Sequence, residues 1–241
     1  MKHIAICFAA LLCIAPLGIP PLASASSLCV SGTLASYEAL GASGCTIGTN
    51  TVFDFNIPSG ITGATAIAPG SIEIIPSAGT TGPTLTFLVS STASDGALLE
   101  ALIDYSISGN EYASDSITLA DSSSTGNGAV TDIQNYCLGG SFDSTGVKNC
   151  STGDKGGLLL LGDGSDSVSF TQTPFLNVTD DFTLDSGGFG AGNTAAGGKI
   201  TDSFTAVPEP ATYLLLAAGL VLVMLRNTFN TLGKEKGKYH A

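Results

Sequence analysis

Two histidines, six cysteines and twenty carboxylates are the side chains with which this 241-residue chain could do chemistry. The histidines, His3 and His240, stand near its two ends, and none lies between them. Without an imidazole the long central stretch cannot assemble a Ser-His-Asp or Cys-His nucleophile, nor a histidine-bearing zinc centre. The carboxylates leave one route open, because glycoside hydrolysis needs only two acids at a fixed separation. Asp180 and Asp181 are adjacent, and on a strand they point to opposite faces, so they make a poor pair. In "GDGSDS" (residues 162–167) Asp163 and Asp166 suggest calcium. The run lacks the alternating oxygen ligands and closing bidentate acid of a calcium loop, and reads as a turn. The glycines of "DSGGFGAGNTAAGGK" (residues 185–199) follow no buried strand and open no helix, so they form a surface loop and not a phosphate cradle. No catalytic residue, metal or cofactor is expected.

The cysteines point elsewhere. Cys7 and Cys13 fall in the first 25 residues, leaving Cys29, Cys45, Cys137 and Cys150. An even count in an exported domain reads as disulfides, and zinc would need tighter spacing such as C-x2-C. Four cysteines allow three pairings, and sequence alone does not choose among them. Cys29–Cys45 and Cys137–Cys150 are favoured because each closes a short loop rich in Gly and Ser. Loops of that size gain on the order of 3 kcal/mol each on the chain-entropy model.

The elements that must carry these residues are short. Apolar or β-branched runs at residues 51–57, 71–76, 83–89, 101–108, 114–120, 129–138, 165–172 and 198–207 are separated by Gly, Ser, Asn and Pro. That pattern predicts an all-β fold, an antiparallel β-sandwich of jelly-roll or immunoglobulin-like type. Leu98, Leu99, Leu102 and Ile103 have helical spacing, which leaves a helical turn open at the start of this stretch, while its second half is read as strand in the all-β context. Phe53, Phe55, Phe87, Phe170 and Phe204 each sit inside such a run and are expected in the core, with Phe53 and Phe55 on one side of their strand. The chain has no tryptophan, which weakens a sugar-stacking platform; Tyr37, Tyr105, Tyr112 and Tyr136 are the aromatic residues left for one.

Composition divides the chain into four zones. Residues 1–25 have a lysine, an apolar core and a small-residue stretch at Ala23, Ser24 and Ala25. This is the layout of a signal peptide, cut by signal peptidase after Ala25. Residues 26–206 form the exported domain. It holds eighteen acidic residues against three lysines, a net −15 that excludes nucleic acid as a partner and keeps the surface soluble. Residues 207–226 bring Pro208, Glu209 and Pro210, then an apolar run over 211–225, then Arg226. Fifteen residues span about 22 Å as a helix, short against a hydrocarbon core of about 30 Å. Lys234, Lys236 and Lys238 follow in the tail, residues 227–241. The positive-inside bias then places one transmembrane helix stopped at Arg226, with the tail cytoplasmic and the β domain outside.

The order "VPEPAT", short apolar helix, basic residue resembles the PEP-CTERM sorting domain of Gram-negative bacteria that make exopolysaccharide. The resemblance implies that an exosortase, an integral-membrane cysteine protease, recognises Pro208, Glu209 and Pro210 and processes the protein for the cell surface or the extracellular space. The family usually closes with clustered arginines, where this chain has Arg226 followed by "NTFNTLGKEKGKYHA". A second stretch, "LASYEALGASGCTIGTNTVFDFN" (residues 34–56), is similar to the start of many PEP-CTERM exported domains through Tyr37, Leu40, Gly41, Gly44, Cys45, Gly48 and Phe53. The expected function is a non-enzymatic exported surface or matrix protein. The alternatives are a sandwich that binds exopolysaccharide and, behind it, a two-carboxylate glycoside hydrolase.

Overall fold

The computed structural model describes residues 27–57, 63–143, 146–190 and 192–207. Strand β1 (Gly32–Thr33) runs into a five-residue helix, α1 (Leu34–Glu38). The hydroxyl of Thr33 caps that helix by accepting from the amide of Ser36 at 3.3 Å, and α1 buries Leu34 and Tyr37. A hairpin of β2 (Cys45–Ile47) and β3 (Asn50–Asn56) follows, then β4 (Thr65–Ala66), β5 (Ile72–Ala78) and β6 (Pro83–Val89). Next come β7 (Thr92–Ser94), the long β8 (Leu98–Ala120), β9 (Ser123–Thr125) and β10 (Ala129–Leu138). The remaining strands are β11 (Phe142–Asp143), β12 (Gly146–Cys150), β13 (Asp154–Leu161), β14 (Gly164–Asp185), β15 (Thr194–Ala196) and β16 (Lys199–Ala206).

The main sheet has the order β1-β5-β6-β16-β8-β14-β10-β13, with β3 and β4 also on β8. Its pairings are antiparallel apart from β4 on β8. Strands β8 and β14, 23 and 22 residues long, belong to both ends of this order. The second half of β8 pairs with β16, and its first half with β3 and the second half of β14. Between the halves the β8–β14 register slips around Thr173, and Gly109 adopts φ 141°. A Cβ on Gly109 would meet the Asn50 and Thr49 backbone at 2.9 Å, so only glycine lets β8 pass that hairpin.

The two ends of the sheet face each other. Tyr105, on the first half of β8, packs its ring 5.9 Å from Phe87 of β6 and 6.4 Å from Phe204 of β16. Phe55 stacks on Tyr105 at 5.4 Å, and Tyr37 of α1 meets Phe55 edge-on. The result is a sandwich-like, nearly all-β fold with one aromatic-rich core. A small sheet, β7-β15-β9, closes the end where β16 begins; at the other end β16 delivers the chain to Val207.

Several local expectations are corrected. Leu98 and Leu99 open a strand and not a helical turn, because residues 98–108 pair along β14 and their helical spacing is only apolar density on both faces. Helix α1, strand β13 and the second half of β14 were not foreseen. Phe53 and Phe55 part company: Asp54 takes a left-handed φ of 54° at a bulge, so Val52 and Phe55 are buried while Phe53 turns to the outer face. Phe170 is half-buried, packed 5.4 Å from Tyr136. Among the described residues no helix is long and apolar enough to cross a membrane. The signal peptide with its Ala25 cleavage point, the sorting residues Pro208, Glu209 and Pro210, the expected membrane helix, Arg226 and the basic tail lie outside the described residues.

Candidate functional site

Alternation along four strands carries carboxyls into the core. On β8, Asp115 shares the inward side with Ile117 and Leu119; on β16, Asp202 lies between Ile200 and Phe204. On β14, Asp180 lies between Val178 and Phe182, and on β10 both Asp132 and Gln134 point inward between Val130 and Tyr136. All five are buried, at 1 % exposure or less.

Asp202 is the hub. The Tyr105 hydroxyl donates to its Oδ2 at 2.5 Å, and Asp180 meets it carboxyl to carboxyl, a contact that forms a hydrogen bond when Asp180 holds the proton. Gln134 lies near enough to favour the charged form of Asp202, although neither of its amide atoms makes a well-formed hydrogen bond. Burial raises the Asp202 pKa, these donors lower it, and the balance is a value of about 6. Burial first, and the Asp202 charge second, push Asp115, Asp132 and Asp180 well above the carboxylate range. Both oxygens of Asp115, Asp132 and Asp180, and Oδ1 of Asp202, accept no well-formed hydrogen bond. Burial and mutual repulsion therefore favour the protonated form of Asp115, Asp132 and Asp180, and the donors around Asp202 make it the member that ionises first.

The acid reading of the sequence missed this cluster. It treated the carboxylates as surface charge, although each of the four follows the period-two pattern that marks an inward position. Asp180 and Asp181 do point apart, the first into the core and the second, half-buried, to the outer face. Among the described residues no group of three or more His, Cys, Asp or Glu is arranged to hold a metal ion. Asp163 accepts from the amide and hydroxyl of Ser122, and Asp166 from the amides of Leu159 and Ser167, so both serve turns.

The tyrosines set aside for sugar stacking are also inside. Tyr37, Tyr105, Tyr112 and Tyr136 are each at most 4 % exposed, and the Tyr112 hydroxyl donates to buried Asn50 at 2.7 Å. The outer face of the sheet offers a different set. Phe53 and Phe175 are half-buried there with ring centres 6.2 Å apart. Beside them Asn177 donates to Asp104 at 2.8 Å and accepts from the Phe142 amide at 3.1 Å. Burial raises the Asp104 pKa to about 6 against the lowering effect of Asn177, with the Asp54 charge adding to the rise.

Two disulfides fix the periphery. Cys29–Cys45, with Cα atoms 4.9 Å apart, ties the N-terminal segment to β2. Cys137–Cys150, at 5.6 Å, joins β10 to β12 and so holds the β11–β12 hairpin at the outer face. At the far end the chain is pinned as it leaves β16: the amide of Ala206 donates to the Thr81 carbonyl at 2.7 Å, and that of Val207 to the Glu111 carbonyl at 2.6 Å. Pro208 has no amide hydrogen with which to continue this ladder.

Residues 206–227 match the family model for the PEP-CTERM protein-sorting motif, so the chain carries that motif. No curated protein matches the chain. Among solved structures it is similar to the enzymatically active domain of bacteriophage CBA120 tailspike protein 4, at 9% identity and a TM-score of 0.27, over 67% of this chain and 20% of that one. The chain thus spans about a fifth of the length of that tailspike domain. It is also similar to TmCBM61, solved in complex with β-1,4-galactotriose, at 9% identity and a TM-score of 0.23, over 56% of this chain and 82% of that one. Likenesses this slight do not bear on what the chain does.

Proposed function

We propose that this chain, which carries the PEP-CTERM motif, is a non-enzymatic surface or extracellular-matrix protein: residues 26–206 are exported as a β-sandwich of jelly-roll or immunoglobulin-like type and released to the surface by an exosortase. Signal peptidase removes residues 1–25, residues 211–225 span the inner membrane in one pass with the domain outside, and the exosortase acts at Pro208, Glu209 and Pro210. The observation that carries the reading is the motif match at residues 206–227. The disulfides agree with an oxidising destination. Against hydrolysis, the four carboxyls that converge among the described residues are sealed in the core, where no polymer can reach them. Mass spectrometry of surface-released protein tests the sorting step. Peptides beyond Leu225 in that fraction, in a host with an active exosortase, would sink it.

A second reading, binding of exopolysaccharide, has one observation in its favour: the outer-face pair Phe53 and Phe175 beside Asp104. Aromatic faces next to carboxylates suit sugar rings and their hydroxyls. A polysaccharide pull-down separates the two readings, with retention that depends on both phenylalanines as its signature.

A further inference from the structure

The end of the sandwich from which the sorting motif departs has a groove of about 700 Å³. The turns at Gly48, Thr49 and Asn50 and at Gly79, Thr80 and Gly82 line it, with Asn110 and the last residues of β16, through Val207, completing the wall. None of its lining residues is charged, in a domain whose sequence holds eighteen acidic residues against three lysines. Glu111, next to Asn110, is exposed but does not line it.

Two features make this end an interaction surface. The first is reach. Val207 is pinned to the Glu111 carbonyl, and Glu209 is two residues further on, hence at most about 7 Å away along an extended chain. A protein that binds a segment usually covers about 800 Å² of its partner, a patch far wider than that distance. Any enzyme that closes on Pro208, Glu209 and Pro210 must therefore touch the end of the sandwich or be blocked by it. The second feature is charge. The groove lining carries no ionisable side chain, so a partner's loop seated there buries no charge that would have to be desolvated.

We infer that the uncharged groove at the exit end of the domain is a docking surface for the membrane-embedded protease that processes the sorting motif, so that the folded domain, and not the motif alone, is what the enzyme recognises. This rests on the sorting function proposed above. The groove gives the partner's outward-facing loop an uncharged, mostly apolar cradle between Ile47, Ala78, Pro83 and Val207, and the pinned exit of β16 fixes the motif's starting point relative to it.

The test uses the full chain in a host with an active exosortase, following removal of the C-terminal segment by pulse-chase. Thr80→Glu and Thr205→Glu place charge on exposed positions at the grooved end, while Ser124→Glu places the same charge on β9 at the opposite end. The expected result is processing slowed about tenfold by the first two substitutions, a typical cost of disturbing an interface centre. Ser124→Glu proceeds at the wild-type rate. A Gly/Ser spacer of about eight residues after Val207 also slows processing, because it uncouples motif from docking face. Far-UV circular dichroism and intact disulfides confirm that each variant is folded. Wild-type rates for both groove variants or for the spacer chain overturn the docking surface and leave the sorting function standing. A wild-type chain that stays whole overturns the sorting function, and the docking surface with it.

Discussion

The phenol of Tyr105 donates a 2.5 Å hydrogen bond to Asp202, joining the two layers of the sandwich at the point where four buried carboxyls converge. An anion in such a place survives only on the donors around it, and its neighbours survive only as neutral acids. The fold therefore depends on protons.

The sign of that dependence follows from the pKa directions. Asp115, Asp132 and Asp180 sit well above the carboxylate range when folded, and Asp104 and Asp202 at about 6. Above roughly pH 4, where unfolded carboxyls ionise, the folded state then binds more protons than the unfolded one, and stability falls as pH rises. The fall starts in the window between roughly 4 and 6, set by Asp104 and Asp202, and continues beyond it for the other three. Exposed Asp163, lowered by its hydrogen bonds to Ser122, acts in the opposite sense but in water. The denaturant midpoint of the purified protein should be lower at pH 7.5 than at pH 4.5. A midpoint that rises across this range would contradict the account.

Asp180→Asn gives a sharper version. The amide keeps a donor for Asp202 and needs no proton to remain neutral, so at pH 7.5 the variant should be more stable than wild type, by about 1–3 kcal/mol. Its stability should also vary less with pH. Tyr105→Phe, which strips a donor from Asp202, should cost about 1–3 kcal/mol at the same pH. Chemical denaturation of the two variants beside wild type decides both.

The strands were legible wherever alternation was clean, as in residues 83–89, where every second residue is buried. They were hidden where alternation failed for a physical reason. The four leucines of β13 carry no period, yet Leu158 and Leu160 are buried while Leu159 and Leu161 are exposed, as befits a strand at the end of the sheet. At Asp54 one left-handed residue shifts the period, which no count of apolar residues reveals. The buried acids were legible in principle, since Asp115, Asp132, Asp180 and Asp202 all hold inward positions. Reading charge as surface overrode that signal. The sorting motif needed no fold to be seen, because its information is local in sequence.

The bulge at Asp54 makes its own prediction. A non-glycine residue at φ 54° is strained, and the charge of this one also helps to raise the Asp104 pKa. Asp54→Gly removes both costs but adds unfolded-chain entropy of similar size, so the fold should stay within about 0.5 kcal/mol of wild type at neutral pH. Asp54→Val, β-branched at the same φ, should destabilise it. Thermal unfolding of the pair gives the order, and a Val variant as stable as the Gly variant would refute the bulge geometry.

The Cys137–Cys150 disulfide should matter more to the outer face than its size suggests. It closes a loop of sequence separation 13, for which chain entropy predicts a loss of about 3 kcal/mol on removal. The same loop supplies the Phe142 amide that Asn177 accepts, and Asn177 in turn donates to Asp104. In Cys137→Ser/Cys150→Ser the hairpin is freed, the Phe142–Asn177 bond loses its tether, and the burial that raises Asp104 is relaxed. The Asp104 pKa should then move down from about 6 towards the ordinary carboxylate range. Removing Cys29–Cys45 in the same way should lower stability by a similar amount but leave Asp104 where it is, because that bond ties the N-terminal segment to β2. Carboxyl titration of Asp104 by NMR, run on wild type and both double variants, separates the two bonds. A shift in the Cys29–Cys45 variant, or none in the Cys137–Cys150 variant, would show that the outer face is held by something other than the β11–β12 tether.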